Sequence, residues 1–436
     1  MNIDNLSMSH IVQNNPIVYA EEAVRKKYLS CLTKYINVSG IGKRKYTRAQ
    51  LTAYKTIVNG YEEKEKKEYD IEYFKYYILL DLLNIAGFDK NKLSQNKLKV
   101  IKALYYNDFK TVDKTKTEKI FRLLQTQKID LNKILQQNIF VDEKKYLDYI
   151  QQNIRFKEEK PFKLLVTATM SAGKSTFINS ITGKNICRSQ NMACTSKIHM
   201  IINKAYEDGY SYEYDHDLVM TAGSEELLND NELNKTDMIY VGTSFDGLLR
   251  NHRMTINDSP GVNYSENSEH RDITRKLIKS KRYDLLVYIM NATQLGTYDD
   301  AEHLDYVKKQ IGNKPVIFII NKIDEFNPEE ENIKKTLDGQ IEYIKSHGFK
   351  NPVVCPMSSR AAYLAKKSLN QELSRTETRE LNNYIDKFEQ MKLTDYYKKL
   401  FPDIQIKDEE DERRQLLKTC GEAYVENIIL SKKTNE

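Results

Sequence analysis

The sequence predicts an α/β fold whose mostly parallel sheet is covered by helices on both faces. It also predicts an all-helical domain before that fold and a helical segment after it. Three observations carry this reading. Residues 1–158 repeat apolar side chains at three- and four-residue spacing, as Ile71, Phe74, Tyr77, Ile78, Leu82 and Ile85 do, which is the period of a helix face. From Pro161 onward, short continuous apolar runs alternate with helical segments, the pattern of strands buried on both sides. After about Ser358 the helical period returns in a highly charged chain. The expected domains are therefore 1–158, 159–368 and 369–436.

In the first domain, Leu93, Leu98, Ile101, Leu104 and Tyr105 continue the helical pattern, and short segments follow near Ile120–Leu124 and Leu131–Ile139. Gly60 and Gly87 cut the region into several short helices. In the second, Phe162–Ala168, Ile198–Ile202, Leu285–Met290, Val316–Ile320, Val353–Cys355 and the weaker Met254–Ile256 read as strands. Lys174–Thr182 reads as a helix. In the third, Arg413–Leu430 reads as one amphipathic helix with Leu416, Leu417, Cys420, Tyr424, Ile428 and Leu430 near one face. It either packs back on the α/β domain or forms a short stalk.

The bulk composition narrows the class. The 436 residues are 40% hydrophobic and 30% charged, which suits a globular chain of two or three domains and not a disordered one. A net charge of +6 with interleaved signs argues for neither nucleic acid nor anionic lipid. Five cysteines without a CxxC pair fit a reduced, cytoplasmic chain. The N-terminus lacks the apolar core of a secretion signal. The longest apolar run, Tyr76–Ala86, is broken by Asp81 and Asn84 and is too short to span a bilayer.

Three motifs carry chemistry. Ala168-Thr169-Met170-Ser171-Ala172-Gly173-Lys174-Ser175, followed by Thr176, sits between a strand and a helix. Backbone N–H groups there point at phosphate oxygens, Lys174 reaches the β- and γ-phosphates and the Ser175 hydroxyl ligates magnesium. The pattern GxxxxGK[ST] asks for glycine at 168, where this chain has alanine; a methyl group fits if φ is negative there. Asp258-Ser259-Pro260-Gly261 follows a strand, so that Asp258 holds magnesium through water and the Gly261 N–H reaches a γ-phosphate. Asn321-Lys322-Ile323-Asp324 follows another. The Asp324 carboxylate accepts the N1–H and 2-amino donors of guanine, Asn321 supports the loop and the Lys322 stem covers the ring. Adenine lacks that donor pair, so GTP is selected over ATP. Each motif alone is a common turn. Together they stand in the required order, each at the C-terminal end of an apolar strand, where ligands bind in open α/β sheets.

Two weaker sites complete the set. Thr195 in Ala193-Cys194-Thr195-Ser196 is placed to contact magnesium and the γ-phosphate, with Ser196 as the competing choice. Ser358 and Ser359, before Arg360, occupy the place of a loop behind the base. The basic cluster Lys43-Arg44-Lys45 with Tyr46, the acidic runs Asp299-Asp300 and Asp408–Glu412, and the histidines read as surface or structural features.

On these residues the chain resembles the dynamin superfamily, particularly bacterial dynamin-like GTPases. The resemblance spans about residues 160–365. It rests on Thr169–Gly183, on the ACTSK segment around Thr195, on Asp258–Asn263, on Asn321–Asp324 and on Asn291–Gly296. It implies a large GTPase that converts GTP to GDP and phosphate with Mg2+ and forms a homodimer or oligomer through paired G domains. It also leaves room for a peripheral membrane contact or a protein partner, with nucleic acid disfavoured. Family members carry a glutamine where this chain has Met170 to position the attacking water, and Val262 supplies none either. Ser171 and backbone groups are then the candidates for holding that water, and slow unassisted turnover is expected. About 70 residues follow the Ser358 loop, too few for a full stalk. The alternative reading is a GTP-dependent switch or scaffold with slow hydrolysis, whose helical domain docks a protein or DNA partner.

Overall fold

A computed structural model describes residues 11–43, 45–59, 67–87, 93–125, 139–187, 198–215, 218–222, 238–261, 268–294, 296–326 and 333–434. The chain forms two compact units, one of residues 1–160 with 204–221 and one of residues 161–203 with 222–436. Among the described residues no helix is long and apolar enough to cross a membrane. Cys31, Cys187, Cys355 and Cys420 are buried free thiols.

The first unit is built from α1 (Glu22–Ser39), α2 (Lys45–Asn59), α3 (Lys75–Gly87), α4 (Gln95–Asp108), α5 (Lys114–Gln125) and α6 (Lys144–Glu158). It also holds β3 (Ser211–Asp215) and most of β4 (Leu218–Ala222). The helical pattern that begins at Ile71 opens as a 3-10 turn, Ile71–Phe74, before α3. The expected helix Leu131–Ile139 lies almost wholly outside the described residues.

This core is rich in tyrosine, and buried hydroxyls need partners. The largest group of them meets at Asp81, which is fully buried on α3. Tyr28 and Tyr146 donate to its carboxylate. Asn15 Nδ2 does so at 3.0 Å and the Tyr54 hydroxyl at 3.4 Å. Burial pushes the Asp81 carboxyl up to about 7, against the pull of these donors. The folded chain therefore keeps this proton at pH values where the unfolded chain has lost it. The stabilisation is complete below about pH 4 and is lost as pH rises through about 7, with a slope of at most about 1.4 kcal/mol per pH unit. Asp81→Asn should flatten that part of the pH dependence of urea unfolding. Equal pH slopes for the two proteins between about pH 4 and 7 would refute the assignment.

The second unit contains a sheet in the order β5-β2-β6-β1-β7-β8-β9. Its strands are β1 (Phe162–Ala168), β2 (Ile198–Asn203), β5 (Met238–Thr243), β6 (Met254–Asp258), β7 (Leu285–Asn291), β8 (Val316–Asn321) and β9 (Val353–Pro356). All neighbours run parallel except β2 and β6, which pair antiparallel from His199↔Asp258 to Ile202↔Thr255. Every residue of β6 and β7 is buried, as strands covered on both faces require. The helices are α7 (Lys174–Thr182), α8 (Ser268–Ser280), α9 (Tyr298–Ile311), α10 (Ile333–Ser346), α11 (Ser359–Asn370), α12 (Arg375–Met391), α13 (Leu393–Leu400), α14 (Glu412–Thr419) and α15 (Glu422–Thr434).

Two expectations are corrected here. The C-terminal amphipathic stretch is two helices, because Gly421 turns the chain at φ +96° and packs where a Cβ would lie 2.5 Å from the Pro356 carbonyl. Asp300 is not solvated surface: it is buried and accepts the Tyr288 hydroxyl at 2.9 Å. Leu381, Phe388, Leu393, Tyr397, Leu416, Tyr424 and Ile428 join the core of the sheet, so the segment after residue 368 packs back on this unit.

Candidate functional site

The site lies at the C-terminal ends of β1, β6 and β8. Ala168 closes β1, fully buried and with a negative φ, so its methyl group takes the place of glycine without backbone strain. The loop Thr169–Gly173 then turns into α7 through Ser171 at φ +59° and Gly173 at φ +87°. Gly173 is required twice over. Its φ is left-handed, and a Cβ there would stand 2.3 Å from Asn321 Nδ2. The N–H groups at the start of α7 face the loop without a side-chain cap, the arrangement that receives phosphate. Ser171 is exposed, while Thr169, Met170, Ser175 and Thr176 are half-buried.

Lys174 and Asp258 form an ion pair in which both side chains are buried. Cys187 Sγ lies 3.8 Å from the other Asp258 oxygen. Burial raises this thiol well above its ordinary value, and the neighbouring Asp258 charge adds to that, so it stays a neutral thiol. Ser259 anchors the end of β6 by donating its N–H and hydroxyl to the Val166 carbonyl, at 3.3 and 3.0 Å. Gly261 comes next, and the Met170 side chain passes 3.6 Å from where its Cβ would be.

Asn321 ties the Thr169–Gly173 loop to the start of α11. Its Nδ2 donates to the Ala172 carbonyl at 2.9 Å and its Oδ1 accepts the Ser359 N–H at 3.0 Å. Lys322 is left-handed at φ +66° and pairs with Glu325 at 3.0 Å. Asp324 follows in a short 3-10 turn, Ile323–Glu325. Burial raises its carboxyl above the ordinary range, with a Ser358 hydrogen bond and the Lys387 charge acting the other way. Ser358 caps α11 by accepting the Ala361 N–H at 3.1 Å, and its own N–H donates to the Cys420 carbonyl at 3.0 Å. The Ser359 hydroxyl is buried without a partner among the described residues.

Of the residues expected from sequence, the phosphate loop, Asp258, Gly261, Asn321, Lys322, Asp324, Ser358 and Ser359 occur on one end of the sheet. Thr195 and its competitor Ser196 lie outside the described residues, as do Arg44 and Val262. The side chains of Tyr384 and Lys387 on α12 were not anticipated. They reach Asp324 from 60 and 63 positions away, and no local spacing signals such a contact. Lys366 was also missed, although a lysine inside the apolar stretch Ala361–Leu369 is a signal for a buried, paired cation.

A phosphate loop, a strand-end aspartate paired with its lysine and an NKxD base loop on a mixed sheet define a nucleotide-binding GTPase domain. Residues 164–323 match the model of the dynamin family. Solved structures are similar to the chain at low identity. A bacterial dynamin pair described as sensing and tethering membranes is 15% identical, with 100% of this chain and 62% of that chain covered and a TM-score of 0.38. Era from Aquifex aeolicus bound to GDP and AlF4- is 17% identical over 49% of this chain and 58% of that chain, with a TM-score of 0.29. Toc33 from Arabidopsis thaliana with GDP and Mg2+ is 14% identical over 49% and 78%, with a TM-score of 0.31. The chain thus spans less than two thirds of the length of the Era and bacterial dynamin chains. No curated protein matches it.

Proposed function

We propose that the chain is a dynamin-like GTPase that binds GTP with magnesium, hydrolyses it to GDP and phosphate, and turns over faster when two G domains pair. The observation that carries this reading is the double hydrogen bond of Asn321. It fixes the phosphate loop and the base loop to each other, as one ligand with a triphosphate at one end and a base at the other requires.

The roles follow from the chemistry of the groups. Lys174 neutralises the β- and γ-phosphates and Ser175 offers a hydroxyl oxygen to magnesium. Asp258 is a buried carboxylate held by a cation, and a hard oxygen of this kind suits magnesium through water. The metal, when bound, would offset charge on the phosphate oxygens. Thr195 is assigned to the same metal and the γ-phosphate, and Gly261 to the γ-phosphate. Asp324 reads guanine. The Met170 side chain brings only a weak sulfur acceptor and no donor to the loop, so Ser171 and backbone groups hold the attacking water.

Pairing stimulation is the testable part. Specific GTPase activity at saturating GTP and Mg2+ should rise severalfold as protein concentration goes from the nanomolar to the micromolar range. A flat profile would remove self-stimulation and favour the second reading. In that reading the chain is a GTP-dependent switch or scaffold with slow hydrolysis, whose helical unit docks a protein or DNA partner. The apolar Met170 beside Gly261 is the observation in its favour. A cytoplasmic chain with peripheral membrane contact fits either reading.

A further inference from the structure

Asp324 is held from outside the base loop. Lys387 on α12 donates to the Asp324 carbonyl at 2.6 Å. The Tyr384 hydroxyl, one helical turn earlier, stands 3.5 Å from Asp324 Oδ2 and 3.0 Å from Glu380 Oε1. Glu380 is itself gripped by the Arg360 fork at 2.8 and 2.7 Å. Arg360 is the second residue of α11, directly after Ser358 and Ser359. The helix that presents these groups is well fixed. Ser374 and Glu377 form a reciprocal cap at its start, and Lys367 pairs with Glu377 at 2.7 Å.

The tyrosine hydroxyl has one proton and two carboxylates in reach. Glu380 already receives two charged hydrogen bonds, and the Arg360 side chain holds its carboxyl below the ordinary range. Asp324 is shifted in the opposite direction by burial. The hydroxyl lies nearer Glu380 Oε1, at 3.0 Å, and reaches Asp324 Oδ2 at 3.5 Å as the longer arm of a three-centre contact. A carboxylate oxygen has two lone pairs, so Oδ2 accepts the hydroxyl on one side and a base N–H on the other.

We propose that Tyr384 is a positioning residue for guanine recognition: the chain Arg360–Glu380–Tyr384 fixes the plane of the Asp324 carboxylate, and Lys387 fixes its backbone, so that both oxygens meet the two N–H donors of the base. This rests on the guanine reading of Asp324. It extends the base site beyond residue 323, where the family match ends, into the C-terminal helices.

The test compares GTP with ITP, which lacks the 2-amino group and so offers Asp324 one donor in place of two. Affinities are measured for the unaltered chain and for Tyr384→Phe by competition with a fluorescent GDP analogue. A carboxylate free to rotate loses the two-point contact more than the one-point contact. The expected result is a fall in the GTP over ITP preference of roughly three- to tenfold, the worth of one ordinary hydrogen bond, with ITP affinity little changed. A merely structural role would weaken both nucleotides alike. Equal weakening, or an unchanged preference in a protein that prefers GTP, overturns the assignment of Tyr384 alone. A wild type that binds neither nucleotide, or both equally, overturns the guanine reading and this assignment with it. Lys387→Met provides the second variant. It should lower both affinities while keeping the wild-type preference, and a loss of preference there would place the orienting role on Lys387 instead of Tyr384.

Discussion

Asp324→Asn should cost the protein its GTP affinity and give it affinity for xanthosine triphosphate. The carboxylate offers two acceptors to the N1–H and 2-amino groups of guanine. The amide replaces one acceptor with a donor, which then faces the 2-amino group. A hydrogen bond to a charged group contributes roughly 1.5–3 kcal/mol, and a donor left facing a donor adds a desolvation cost. The sum predicts a fall in GTP affinity of about 100-fold or more. Xanthine carries a carbonyl at the 2-position, so the same amide meets an acceptor. Competition against a fluorescent GDP analogue measures both nucleotides on one protein. The exchange of preference is the decisive readout, because a misfolded variant would lose both. Unchanged GTP binding would show that Asp324 does not read the base.

The parts of this site that were legible in the sequence are those whose physics is local. A phosphate loop needs its glycine, lysine and hydroxyl within a few residues of a strand end, so Gly173, Lys174 and Ser175 stand together. The strands β1, β7, β8 and β9 are largely buried and read as apolar runs, whereas β6 is fully buried but carries Thr255, Asn257 and Asp258 and so reads more weakly. The strands between residues 211 and 243 were not read, because Ser211–Asp215 and Met238–Thr243 mix polar with apolar residues. The break between α14 and α15 was hidden for another reason. The apolar period continues through it, and only Gly421 announces the turn. Contacts of Tyr384, Lys387 and Lys366 depend on how helices far apart in sequence come together, and no spacing encodes that.

Lys366 carries the last prediction. It is buried on α11 and donates to Glu422 at 2.8 Å and Glu426 at 2.7 Å, both buried on α15. Glu422 also accepts the Ser180 hydroxyl at 3.2 Å, and Lys366 reaches the Ile181 carbonyl at 3.4 Å. Both partners belong to α7, the helix that opens on the phosphate loop. Glu426 accepts the Leu248 N–H at 2.9 Å. One cation thus holds two carboxylates and ties the C-terminal helix to the phosphate-binding helix. Lys366→Met would leave two buried charges uncompensated, at a cost of about 3–5 kcal/mol. For a unit of this size that is a fall of roughly 10 °C in melting temperature. The sign of its pH dependence follows from Glu422, whose carboxyl burial already raises above the ordinary range even with Lys366 present. Without the lysine the raised group folds most readily when protonated. The deficit should therefore shrink as pH falls towards 5 and grow as it rises. Adding Glu422→Gln and Glu426→Gln to Lys366→Met should restore most of the melting temperature, since the loss comes from unpaired charge and not from lost packing. If the triple variant melts as low as the single one, the contribution of Lys366 is its volume and its reach to the Ile181 carbonyl, and the carboxylates are incidental to the link between α15 and α7.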